Sequence, residues 1–123
     1  VAKTQQDLTI YRSGSYVPVV NLLDTDGSGW NPNGFDLRYR IAYSSRHAAA
    51  LLEIDSPDIT TDEPVSGTFT ATIPLDTART ELLPTGRLYH ELYAVSLGGE
   101  RIVLMTGLLT VIPAQAEHEA VGS

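Results

Sequence analysis

The chain has 123 residues, no cysteine, and eight basic against fifteen acidic residues, for a net charge of −7. One domain fits that length and can bury a core without staples, while disulfides, thiolate zinc sites and cysteine nucleophiles are excluded and the redox compartment is left open. A field of this sign repels phosphate backbones and anionic lipids, so neither nucleic acid nor a membrane is an expected partner.

The opening "VAKTQQDLTI" shows no charged region followed by an apolar core, so no signal peptide is read, and no apolar run approaches the roughly 20 residues that span a bilayer. A soluble, non-exported chain is expected. Residues 1–6 read as a polar N-terminal arm, 7–112 as the folded domain and 113–123, "PAQAEHEAVGS", as a C-terminal arm without a core pattern. Polar ends fray unless something ties them down. The arms are therefore expected to lie against neighbouring chains, with Lys3, Gln5, Gln6, Pro113, Glu117 and His118 as contact candidates.

In chain order, Leu8, Ile10 and Arg12 alternate with Thr9 and Tyr11 in a short strand, and "YVPVVNLL" follows as an edge or irregular strand, because Pro18 lacks a backbone donor. "DTDGSGWNPNG" is a run of turn-formers. In "FDLRYRIAY", Leu37, Tyr39, Ile41 and Tyr43 share one face and Asp36, Arg38 and Arg40 the other, the period-two mark of a half-buried strand. Residues 44–54 fit a helix or a strand, and the acidic "EIDSPDITTDEP" reads as loop. "SGTFTATIP" alternates again. "DTARTELLPTG" predicts one or two helical turns capped by Asp76, with Leu82 and Leu83 turned inward and Pro84 and Gly86 stopping it. "RLYHELYAVSLGGERIVLMTGLLTVI" predicts two long strands joined at Leu97-Gly98-Gly99-Glu100. About seven strands with one short helix and extended terminal arms predict an all-β, Ig-like antiparallel β-sandwich.

Candidate chemistry is sparse. His47 lies in the ambiguous segment and His118 in the tail. His90 shares a face with Leu88, Leu92 and Ala94, and a lone histidine there reads as a hydrogen-bonded core residue. No nucleophile elbow, two-histidine zinc helix or phosphate cradle is present, so no catalytic residue, enzyme activity or cofactor is expected. Glu53, Asp55, Asp58, Asp62 and Glu63 read as a solvated acidic loop. "DTDGSGW" starts like an EF-hand loop, with Asp24, Asp26 and Ser28 at ligand positions and Gly29 at the sixth. Phe35 then occupies the twelfth position, where a bidentate glutamate is needed, so the segment reads as a turn and no metal is expected. Seven of the eight basic residues are arginine, which is enriched at interfaces. Arg38 and Arg40 are accordingly interface candidates, or else partners of acids in their own sheet.

Taken end to end, the order "LTIYRSGSYVPVV", "DTDGSG", "GFDLRYRI", "FTATIPLDTARTELLPTGRLYHELYAV" and "IVLMTGLLTVI" resembles a small β-sandwich domain of tailed-bacteriophage structural proteins, similar to the N-terminal domain of siphophage baseplate upper proteins. The resemblance spans residues 7 to 112. It departs at Ser13 after Arg12, at His90-Glu91 and in the longer "SGWNPNG". It implies a non-enzymatic virion protein, assembled in the host bacterial cytoplasm, that binds other virion proteins in many copies. A capsid decoration or cement protein binding the major capsid protein is the first expectation, and a baseplate, tail or neck component the alternative. A different class is a carbohydrate- or calcium-binding module, with Trp30 as a stacking platform and Asp24 and Asp26 as ligands.

Overall fold

The structure is a computed structural model that describes residues 2–44 and 49–113. Along the chain run β1 (Thr4–Gln5), β2 (Leu8–Tyr11), β3 (Val19–Leu22), β4 (Asp36–Ala42), β5 (Leu52–Asp55), β6 (Thr60–Val65), β7 (Thr68–Thr72), α1 (Thr77–Thr80), β8 (Gly86–Val95) and β9 (Arg101–Ile112). They form two sheets of a β-sandwich. The larger has the order β1-β9-β8-β4-β5, with β2 also on β9, and the smaller the order β3-β7-β6. All pairings are antiparallel except those of β1 and β2, which run parallel to β9.

Alternation builds the core. Leu37, Tyr39 and Ile41 of β4 and Leu88, His90, Leu92 and Ala94 of β8 point inward. From the smaller sheet they meet Val20, Leu22, Ala71 and Ile73, all buried. Truncating one of these, such as Leu92, removes transfer energy and leaves a cavity, at a cost of roughly 2–5 kcal/mol. In β9 the register shifts opposite Leu92/Tyr93, so that Leu104 and Met105 are both buried. The single-residue irregularity turns the start of β9 without exposing either side chain.

Several expectations change. The acidic segment expected as loop contains β5 and β6. All six residues of β6 are exposed, yet Thr60, Thr61 and Asp62 pair with Thr72, Ala71 and Thr70. As the outer strand it tolerates Pro64, and its charges and its register shift before Val65 blunt the open edge. The ambiguous segment ends in strand from Leu52, while residues 45–48, with His47, lie outside the described part. Asp76 caps α1 as expected, with its Oδ1 accepting from the Arg79 amide at 3.0 Å. Leu83 is buried, but Leu82, expected inward, is 66% exposed: α1 ends at Thr80, its buried residue, and of the two leucines beyond the helix only Leu83 reaches the core. Thr4–Gln5 of the N-terminal segment lies on β9, next to Met105 and Thr106. Of the C-terminal segment only Pro113 is described, so Glu117 and His118 lie outside.

Candidate functional site

The outer face of the larger sheet carries the densest functional chemistry among the described residues. Its register fixes the rows. Arg38 on β4 lies between Asp55 on β5 and Tyr93 on β8, and Arg40 between Glu53 and Glu91. One row further on, Ala42 is beside Tyr89, which is beside Leu108 of β9. Arg87 and Arg101 complete the face at opposite ends of the β8–β9 pair.

These groups hold one another. Arg101 forms an ion pair with Glu91 and lies 4.0 Å over the Tyr93 ring. The Tyr89 hydroxyl donates to the other Glu91 oxygen at 2.8 Å. Burial, then that hydrogen bond and the carboxylate charge, push the Tyr89 hydroxyl up to about 12, so it stays protonated and donating. Arg40 is only 9% exposed. Arg38 is held more loosely: its ion pair to Asp36 spans 3.7 Å, and its buried Nε has no hydrogen-bond partner. An exposed pair of that length is worth little, and a buried donor without an acceptor is costly, so this is where the face is least satisfied. Val95 and Val103 lie on the same side by alternation, and Leu108 is 49% exposed.

The loop from Asp24 to Phe35 satisfies itself. Asp26 Oδ1 accepts from both the amide and the hydroxyl of Ser28, which hold its carboxyl below the usual carboxylate range. Asp24 Oδ1 accepts from the Thr25 amide, and Gly27, at φ 87°, donates to the Asp24 carbonyl. Among the described residues no group of three or more His, Cys, Asp or Glu could hold a metal. Trp30 is half-buried, with its ring 5.0 Å from Phe35 and against the core. It is a packing residue, not an open platform. Beside it a cleft of about 410 Å³ opens between the 31–35 loop and the β5–β6 side, with Asp62, Glu63 and Phe69 on its walls.

His90 is 1% exposed and fully bonded, as its apolar face implied. Its Nδ1 meets the Tyr39 hydroxyl at 2.8 Å and its Nε2 the Gln6 carbonyl at 2.6 Å. Of the other expected contact residues, Lys3, Gln5 and Pro113 are exposed and Gln6 is half-buried.

No family model and no curated protein sequence matches this chain. Among solved structures it is similar to AggA, the major subunit of aggregative adherence fimbriae type I from Escherichia coli, at 13% identity and a TM-score of 0.39, over 86% of this chain and 89% of that one. At this level the likeness assigns no function.

The phage reading is corrected on these findings. No family model supports the tailed-phage resemblance, and the similar solved structure is a fimbrial subunit; membership of a tailed-phage family, the capsid decoration, baseplate, tail or neck role and the virion location are withdrawn. The pattern behind them was an order of strands, a D-x-D-G turn and a short helix before a long hairpin, and any sandwich of this topology needs similar punctuation. The sugar- or calcium-binding alternative falls with it, since Trp30 is engaged with Phe35 and Asp26 with Ser28.

Sequence reasoning singled out Arg38 and Arg40 but passed over Arg87, Tyr89, Glu91, Tyr93 and Arg101. The signal was present. Once Leu88, His90, Leu92 and Ala94 are assigned inward, alternation places Arg87, Tyr89, Glu91 and Tyr93 outward on the neighbouring strand.

Proposed function

We propose that this protein is a structural, non-catalytic module that associates with further copies of itself through the outer face of the larger sheet. The observation that carries the reading is the charge distribution. Arg38, Arg40, Arg87 and Arg101 share this face with Asp36, Glu53, Asp55 and Glu91, so its formal charges balance. Among the described residues the other charges are Lys3, Arg12 and Arg79 against nine carboxylates, a surplus of six negative charges.

A second copy approaching by another surface meets like charge, whereas a mixed-sign face can pair with itself about a two-fold axis. Tyr89, Tyr93 and the arginines are also the residue types that concentrate at interface hot spots. Arg38, with its loose ion pair and unpartnered Nε, is the group with most to gain from a carboxylate on the facing copy.

Sedimentation velocity over a concentration series tests the reading. The wild-type chain is expected to associate reversibly, more weakly at high salt, and Arg38→Glu or Tyr93→Ser to shift the equilibrium toward monomer by tenfold or more. A wild type that stays monomeric throughout, or variants that associate as it does, would remove the proposal.

A further inference from the structure

We propose that the joint between β1 and β2, Gln6–Asp7, is an acid-released latch: His90 and Asp7 hold the N-terminal strand on β9 at neutral pH, and acidification frees it.

The latch is visible as a substitution within the ladder. β1 and β2 keep the same offset to β9, with Gln5 beside Thr106 and Leu8 beside Leu109, so Gln6 falls beside Gly107. The Gln6 amide donates to the Thr106 carbonyl at 3.0 Å, as a parallel ladder requires. The next bond of that ladder would run from the Leu108 amide to the Gln6 carbonyl. Instead the Leu108 amide donates to Asp7 Oδ1 at 3.0 Å, and the Gln6 carbonyl accepts from His90 Nε2 at 2.6 Å. Two titratable side chains thus replace one backbone bond.

Gly107 makes the arrangement possible. It sits beside His90 in the β8–β9 register, and a Cβ there would collide with the Gln6 carbonyl oxygen. The imidazole reaches past the bare glycine to the edge strand.

The protonation state follows from the partners. A carbonyl only accepts, so Nε2 carries the hydrogen, and Nδ1 accepts from the Tyr39 hydroxyl. The neutral ring is therefore satisfied at both nitrogens. A second proton would put a donor against the Tyr39 hydroxyl, which would have to turn and leave its own hydrogen without an acceptor. The groups around the ring offer little to a cation. β4 contributes the uncharged Tyr39 hydroxyl, and the smaller sheet fills the core with Val20, Leu22, Ala71 and Ile73. Asp7, in the joint between β1 and β2, is the one carboxylate acting on it among the described residues. Burial outweighs both the Gln6 carbonyl and Asp7 and holds His90 below the ordinary imidazole value.

The sign of the effect is then fixed. Above about pH 6.5 the ring is neutral whether the strand is docked or free, and the latch is at full strength. As pH falls below that value the free state binds the proton more tightly, so release becomes favoured, by up to about tenfold per pH unit until the docked ring itself titrates. The N-terminal strand is what yields, because it is the edge strand and the cover between His90 and solvent beyond Gly107. Its departure solvates the imidazolium while the rest of the core stays closed.

Amide exchange by NMR on the full chain tests this, with Leu108 and Gln6 as reporters and Leu92 in β8 as the reference. Below about pH 6.5, protection of Leu108 and Gln6, corrected for intrinsic exchange, should fall several-fold per pH unit while Leu92 keeps its own. His90→Gln, whose amide can donate to Gln6 and accept from Tyr39 without titrating, should abolish that pH dependence. The proposal is overturned if the wild-type His90 ring titrates with Leu108 and Gln6 protection unchanged, if Leu92 loses protection in parallel, or if His90→Gln keeps the pH dependence. The ring titration in the wild type decides the matter even if the variant folds poorly.

Discussion

Arg101 places its guanidinium 4.0 Å over the ring of Tyr93 while forming an ion pair with Glu91, two residues earlier on the same strand as the ring. The register shift in β9 opposite Leu92/Tyr93 sets this up, by bringing the start of β9 alongside Tyr93 and Val95. A cation over an aromatic face at a partly exposed site is worth roughly 0.5–1 kcal/mol, and the ion pair, half open to solvent on the arginine side, adds a similar amount. Arg101→Ala should therefore lower stability by about 1–2 kcal/mol in urea unfolding, with Arg101→Lys recovering part of it, because an ammonium lacks the planar fork.

Gly107→Ala should cost more than its one methyl implies. The added Cβ meets backbone, not a side chain that can swing away, so β9 and the Gln6–Asp7 segment must separate. A loss of about 1–3 kcal/mol is expected, together with faster exchange of the Leu108 amide. Unchanged Leu108 protection in a destabilised variant would show that the strand contact is not what the methyl disturbs.

Tyr39→Phe removes the donor to His90 Nδ1 and leaves a buried acceptor unpaired, at about 1–3 kcal/mol. The change also removes the hydroxyl that resists a second proton on the ring. Thermal unfolding should show the variant less stable than wild type near neutrality, with the gap narrowing as pH falls through the imidazole range. A gap that does not change with pH would mean that His90 stays neutral throughout.

Asp76→Ala removes the cap of α1 and one of the two carboxylates on Arg79, the other being Asp58 at 3.0 Å. A loss of about 1 kcal/mol is expected, and Asp76→Asn should keep most of it, since its amide oxygen can still accept from the Arg79 backbone. Comparing the two in urea separates capping from charge.

What the sequence disclosed follows the strength of its local signals. Leu37, Tyr39 and Ile41, and Leu88, Leu92 and Ala94, alternate over enough residues to name both strand and inward face. Asp76 and the Leu97–Glu100 turn are marked by residues with local roles, and the hairpin closes as expected through Ser96, Gly99 and Glu100. β6 was illegible because an all-exposed edge strand has no apolar face to alternate, and its charges and Pro64 protect that edge while resembling loop. The docking of residues 4–5 was equally hidden, since it depends on backbone pairing to a strand about a hundred residues away. So was the partner of His90: its burial was readable from its neighbours, but the Gln6 carbonyl becomes available only where the ladder breaks.

The central claim, that copies of this chain meet through the outer face of the larger sheet, is tested most directly by mapping amide chemical shifts of the full chain as its concentration is raised. Changes are expected at Arg38, Arg40, Tyr89, Glu91, Tyr93 and Arg101, with β3, β6 and β7 unmoved. Changes centred on β6 and the 31–35 loop, or none at any concentration, would contradict it.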